Sequence, residues 1–136
     1  MLLHYKLRAF SLLELLVALA VLTILVSICY PSYQQYVLQS YRAEALTGLL
    51  QLANAQEQYR ADYGQYSNDF AILGHPHLMH AQRYQFSITL HSAALAYNLK
   101  AIPVGAQQAD NECPVLTVNH LGQRNADTPQ YTHCWR

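Results

Sequence analysis

The stretch Phe10 to Tyr30, FSLLELLVALAVLTILVSICY, decides how the rest of the chain is read. It is an almost unbroken apolar run with one charge, Glu14, close to its start. As a helix rising 1.5 Å per residue it measures about 31 Å, enough to cross a hydrocarbon core of roughly 30 Å. The run therefore reads as a membrane span. Glu14 needs a reason of its own, because an acid inside such a helix costs about 2.5 to 3.5 kcal/mol on insertion scales and normally marks a function.

Outward on the N-terminal side, Met1 to Ala9 is short and basic, with Lys6 and Arg8 just before the run. Positive charge there holds the N-terminus in the cytoplasm and sends the C-terminus outward. A secretory signal would have small residues at a cleavage site after the run, where this chain has Cys29-Tyr30-Pro31, so the span is expected to be retained.

On the C-terminal side about a hundred residues remain, enough for one modest domain with a single core. Beyond Lys6 and Arg8 there are six basic residues (Arg42, Arg60, Arg83, Lys100, Arg124, Arg136) against eight acidic ones, so no field favours nucleic acid in bulk. Eleven tyrosines and few lysines make a surface suited to protein contacts. Cys113 and Cys134 bracket the last polar segment. In a small exported domain they are expected to pair, because closing a loop of about 20 residues stabilises by roughly 3 kcal/mol in the chain-entropy model. Cys29 has no evident mate and is read as a buried, inert thiol.

Pro31 lacks an amide hydrogen and disturbs the preceding turn without having to end the helix. From Ser32 to about Asp62 the chain is rich in helix formers, and Ala45, Leu49, Leu52, Gln56, Tyr59 and Tyr63 recur every three or four residues as a core stripe. Glycine and polar residues from Gly64 onward end the helix and begin a loop reaching Gln82, in which Phe70, Ile72 and Leu73 are expected to pin the chain to the core. Arg83 to Leu90 alternates as a half-buried strand. Leu95, Tyr97, Leu99 and Ala101 continue the pattern after a turn at His91-Ser92-Ala93, and Val115 to Val118 make a third strand, with a short return strand near Gln123-Arg124. The fold class is α+β, with one long helix on a sheet of three or four antiparallel strands.

Lys6-Leu7-Arg8-Ala9, then Phe10-Ser11-Leu12-Leu13-Glu14-Leu15, the apolar helix and Pro31-Ser32-Tyr33 together resemble the N-terminus of type IV pilins. The tail, Ala106-Gln107, Asp110, Cys113, Leu116-Thr117-Val118, Gly122 and Cys134-Trp135, looks like that of PilE-like minor pilins, in which a disulfide closes the last loop. The resemblance implies cleavage by a prepilin peptidase between Ala9 and Phe10 and N-methylation of Phe10. Ala9 departs from the family's usual glycine. Glu14, fifth after the cut, would meet the amino group of Phe10 in a filament, where pairing offsets the burial of both charges and sets register. Pro31 matches the helix-kinking proline. The implied organisation is leader 1–9, transmembrane and assembly helix 10–30, second half of the helix 31–63, loop 64–82, and sheet with disulfide-bounded C-terminal region 83–136.

Other chemistry is thinly represented. His75, His77 and His80 form an H-x-H-x-x-H cluster whose imidazoles suit zinc, copper or nickel, though solvated loop histidines explain it as well, and no metal or other cofactor is assigned. Asp110 and Glu112 beside Asn111 could suggest calcium, but the cysteine pair takes over that clamping role. Arg83, Lys100 and Arg124 among tyrosines could touch phosphates and bases, but the residues alone favour solvated strand edges over direct DNA binding. The chain has no G-x-S-x-G, H-E-x-x-H, C-x-x-C or glycine-rich phosphate loop, and no enzyme is expected.

The expectation is a structural subunit, a minor pilin of a type IV pilus used for adhesion, twitching motility or DNA uptake. Alternatives are a type II secretion pseudopilin and a DNA-binding receptor pilin. The implied partners are other pilin subunits, the prepilin peptidase, the pilus assembly machinery and the inner membrane. The implied location is the inner membrane, with the N-terminus cytoplasmic and the C-terminal domain periplasmic, and then the cell-surface pilus.

Overall fold

The computed structural model describes residues 10–135. The leader with Ala9, and Arg136 at the other end, lie outside the described residues. Helix α1 runs from Leu12 to Tyr63 with Pro31 inside it, and the chain divides into two compact units, Met1–Val37 and Leu38–Arg136.

In the first unit Ser11 begins the helix: its hydroxyl accepts the Leu13 N–H at 3.3 Å, and its carbonyl accepts that of Leu15. Glu14 falls in the first turn, where the helix dipole favours an acid. The hydroxyls of Thr23 and Ser27 donate back to the Ala20 and Ile24 carbonyls at 2.8 and 2.7 Å, which satisfies them inside an apolar segment.

The second unit is the head. Ala45, Gly48, Leu49, Leu52 and Gln56 are the buried face of α1 there. The stripe weakens toward its end, where Tyr59 is half-buried and Tyr63 exposed, the two rings stacked at 4.5 Å. Gly48 is required by packing: a Cβ there would stand 3.1 Å from the Phe86 ring and 3.2 Å from Leu78. Gly64, at φ 74°, stops the helix by donating its N–H to the Arg60 carbonyl at 2.8 Å.

Strands β1 (Tyr84–His91), β2 (Ala96–Pro103) and β3 (Leu116–Asn119) form one antiparallel sheet in that order. Tyr84, Phe86, Tyr97, Leu99, Ala101, Leu116 and Val118 join Leu49 and Leu52 in the core, so the alternation places the apolar face on α1 as expected. The sheet has three strands, and the anticipated return strand is a single bridge between Val118 and Arg124. The turn between β1 and β2 holds three successive non-glycine residues in the left-handed region, Ser92, Ala93 and Ala94, at φ 52°, 55° and 64°. Leu95 belongs to this turn and is exposed, so β2 begins one residue later than its alternation suggests.

The loop after α1 is held by polar clamps as well as by Phe70 and Leu73. The fully buried Gln56 amide donates to the Ser67 carbonyl and accepts the Ser67 N–H, and the Tyr66 hydroxyl donates to Glu57 and accepts from Arg60. Ile72, expected to help pin this loop, is 58% exposed. It sits in the turn that Asp69 closes by accepting the Ala71 N–H, and that turn directs it away from the core. The second half of the loop is a 3-10 helix, Pro76–His80, which anchors through Leu78.

Candidate functional site

The apolar segment presents an uninterrupted exposed surface. Phe10, Leu12, Leu13, Leu15 and Leu16 are each more than half exposed, and the pattern continues to Ile28. An apolar surface of this extent on a single chain marks a face that lipid or other subunits cover. Glu14 stands within it with no hydrogen-bond or ion-pair partner among the described residues. Pro31 supplies no N–H to the Ser27 carbonyl. Cys29, read as buried, is a free cysteine exposed on this same surface.

In the head, the disulfide Cys113–Cys134 is present and both residues are fully buried. It closes a loop that Asn125 organises from inside. The Asn125 Oδ1 accepts the Thr117 N–H and the Trp135 indole N–H, at 2.6 and 3.1 Å, and its Nδ2 donates to the Val115 and Tyr131 carbonyls, both at 3.1 Å. Its φ is 47°, a conformation asparagine tolerates better than most residues. Sequence reasoning missed Asn125, because its role depends on four partners, Val115, Thr117, Tyr131 and Trp135, that surround it only once the C-terminal loop has folded back on itself.

A second buried cluster joins α1 to the segment before the disulfide. Arg42 forms a two-point pair with Asp110, Nε to Oδ2 at 2.9 Å and Nη2 to Oδ1 at 2.6 Å. The hydrogen bond to Asp110 raises the Arg42 pKa above its ordinary value. The buried Gln107 donates to the Leu38 carbonyl and the Tyr84 hydroxyl, while burial pushes the Tyr84 pKa up and that of Tyr97 up to about 12. Asp110 is therefore committed to a cation. The calcium reading finds a guanidinium where the ion would sit, with Glu112 largely exposed.

The loop histidines do not converge as a set. His75 and His77 meet edge to face at 5.7 Å. Among the described residues, the one group of three metal-competent side chains is Cys113, His133 and Cys134.

The three cations considered for nucleic acid lie in different settings. Arg83 covers the Tyr41 ring at 4.4 Å beside a groove of about 250 Å³ that also involves Glu44 and His77. Lys100 is exposed in the middle of the sheet, in register with Ser87 on one side and Thr117 on the other. Arg124 lies over the Trp135 ring at 5.1 Å and bridges to Val118, the β3 residue next to Thr117. Lys100 stands in the Ser87–Lys100–Thr117 row, whereas Arg124 pairs with the next row, Val118–Leu99, which faces the core, so the sheet register does not place the two cations on one row or one face. A second groove, about 240 Å³, opens beside Lys100 and is edged by Asn98, Asp127 and Thr128.

An exposed apolar helix joined to an α+β head whose last loop is locked by a disulfide is the build of a type IV pilin. The comparisons agree and go further. Residues 6–30 match the prokaryotic N-terminal methylation motif, and residues 31–117, more than half of the chain, match the family described as type IV minor pilin ComP, DNA uptake sequence receptor. The chain belongs to that family and is a minor pilin, a structural subunit of a type IV pilus. A type IV pilin from Shewanella oneidensis, solved at high resolution, has the same fold: TM-score 0.57 and 28% identity over 73% of this chain and 98% of that one. No curated protein matches. The methylation motif implies processing by a prepilin peptidase and assembly with other pilins, and the apolar helix implies membrane anchoring before the pilus reaches the cell surface.

Proposed function

We propose that this minor pilin is cut between Ala9 and Phe10, methylated on Phe10, and drawn from the inner membrane into the pilus, where its head contacts incoming DNA. Before extraction its N-terminus faces the cytoplasm and its head the periplasm. In the filament Glu14 pairs with the Phe10 amino group of a neighbour, and burial of residues 10–30 among like helices drives growth by the assembly machinery.

The residues alone weighed against DNA contact, and membership of a family described as a DNA uptake sequence receptor moves that balance. The observation that carries the reading is that Lys100 and Arg124, on separate rows near β3, both lack a carboxylate partner among the described residues. Around Lys100 the sheet offers Ser87, Thr89 and Asn98, side chains that hydrogen-bond phosphate oxygens and base edges. Asp127 at the groove beside them narrows the contact to a few phosphates.

Two neutralised phosphates give a slope of log affinity against log salt of about −1.8. Fluorescence anisotropy with duplex DNA and the full chain in detergent micelles tests this. The double variant K100A/R124A should bind at least about tenfold more weakly and flatten the slope by about two. Unchanged affinity in that variant, or no binding by the unaltered chain at about 50 mM salt, would exclude this surface.

A further inference from the structure

The groove of about 250 Å³ beside Arg83 lies apart from the surface assigned to DNA and does not depend on that reading. Helix α1 contributes Tyr41, Glu44 and Ala45 to it, spaced three and four residues apart and so on one face. Leu78 of the 3-10 helix and Phe86 of β1 add to the apolar lining, and both are buried. Two opposite charges edge the groove, and neither is neutralised. The Arg83 guanidinium lies over the Tyr41 ring at 4.4 Å, a stack that restrains the long side chain without using its N–H groups. Neither the Arg83 guanidinium nor the Glu44 carboxylate has a hydrogen-bond or ion-pair partner among the described residues, so the two do not close on each other. A groove with an apolar lining, one unpaired cation and one unpaired anion is complementary to a small molecule that carries both charges and an apolar group. At about 30 Å³ per water the volume takes roughly eight waters, the size class of a molecule of about nine non-hydrogen atoms.

We propose that this groove binds a free apolar α-amino acid of the size of leucine. The ligand carboxylate takes the Arg83 guanidinium as a two-point, charge-assisted pair, its ammonium takes the Glu44 carboxylate, and its side chain lies against Ala45, Leu78 and Phe86. Both charges of the ligand are needed. An apolar acid without the ammonium would bring its carboxylate toward Glu44 with nothing to offset the repulsion, and an apolar amine would leave Arg83 unpaired and add a second cation beside it. A phosphate-rich ligand meets the same Glu44 with more negative charge. The exposure of Glu44 and the half-burial of Arg83 leave the charged side of the groove accessible to a ligand from solution.

The test uses the full chain in lipid nanodiscs, which cover the apolar helix without free detergent that would compete for the groove, and reads binding by isothermal titration calorimetry. L-Leucine should bind with a Kd on the order of 0.1 to 1 mM, a range suited to a ligand of so few atoms in an open groove. Three probes each remove one feature: glycine the side chain, leucinamide the carboxylate, N-acetylleucine the ammonium. Each should bind at least about tenfold more weakly than leucine. Glu44→Gln should weaken leucine about fivefold or more and leave N-acetylleucine no weaker, whereas Arg83→Gln should weaken both. Arg83→Lys, which keeps the charge and loses the fork, should fall between the parent and Arg83→Gln. Melting curves that match the parent's show that each variant is folded, and the probe series on the unaltered chain decides the matter by itself where one is not. No heat from leucine at about 10 mM, any of the three probes binding as tightly as leucine, or leucine affinity indifferent to Glu44→Gln in the folded variant would each overturn the site.

Discussion

From Phe10 to Tyr36 every described side chain is exposed, whereas from Leu38 onward the chain buries Leu49, Leu52, Leu99 and Leu116 completely. The first region is regular in the backbone and unfinished in its side chains; the second finishes its own burial. A helix of this length needs no tertiary contact to satisfy its backbone, and its hydroxyls bond inward to carbonyls, so what it lacks is cover for apolar surface. The head closes its backbone accounts with side chains: Gln56 for the loop, Gln107 and Asp110 for the crossing to α1, Asn125 for the C-terminal loop. One region is therefore built to be completed by lipid or other subunits. The other is complete without such cover.

Substituting Glu14 separates the two most sharply. Burying a carboxylate beside a neighbour's amino group and then removing one partner leaves an unpaired charge, at a cost of about 3 to 5 kcal/mol where the site is dry. Glu14→Ala is expected to lower incorporation into sheared pili by at least about a hundredfold on that scale. Head melting should stay unchanged, since Glu14 has no hydrogen-bond or ion-pair partner among the described residues. Quantitative mass spectrometry of pili together with calorimetry of the detergent-solubilised subunit reads both. Normal incorporation would show that register does not depend on the pair.

Asn125 is the corresponding test on the other side. Asn125→Ala strands the Thr117 N–H and the Val115 and Tyr131 carbonyls, and each buried orphan costs about 1 to 3 kcal/mol. A total loss of about 3 kcal/mol corresponds to a fall in melting temperature of more than about ten degrees for a head of this size. Membrane insertion should be unaffected. Asn125→Asp should also destabilise, because it sets a carboxylate oxygen against two carbonyl oxygens. If either variant melts like the parent, the clamp is not what holds this loop.

What the sequence disclosed follows the same division. The run from Phe10 was legible because length and apolarity are one-dimensional properties, and so were the strands, whose faces alternate with period two. The pairing of Cys113 with Cys134 could be foreseen from exported size. Asn125, Gln107 and the Arg42–Asp110 pair could not, because polar clamps obey no period and are recognised only when the fold brings their atoms into hydrogen-bond distance. Ile72 misled for a related reason: its apolarity pointed inward, but the Asp69 turn fixed its direction.

The smallest expected effect lies at the hairpin tip, where the head keeps strain that the first region lacks. Ser92, Ala93 and Ala94 are all left-handed, a conformation that costs an L residue roughly 1 kcal/mol or more. The Ala94 carbonyl accepts the Tyr66 N–H at 2.8 Å, so the tip is tied to the loop after α1 and is not free to relax. Glycine at position 93 would remove the Cβ penalty while giving the unfolded chain more freedom, and the two effects partly cancel. Ala93→Gly is expected to stabilise the head by about 0.5 kcal/mol, a rise in melting temperature of about 2 to 4 °C, and Ala93→Val to destabilise it by more than that because its branch is disfavoured at positive φ. The order Gly above Ala above Val in a melting series would establish that the tip is held by its tertiary tie against its local preference. The reverse order would mean that the turn is extended or helical in solution.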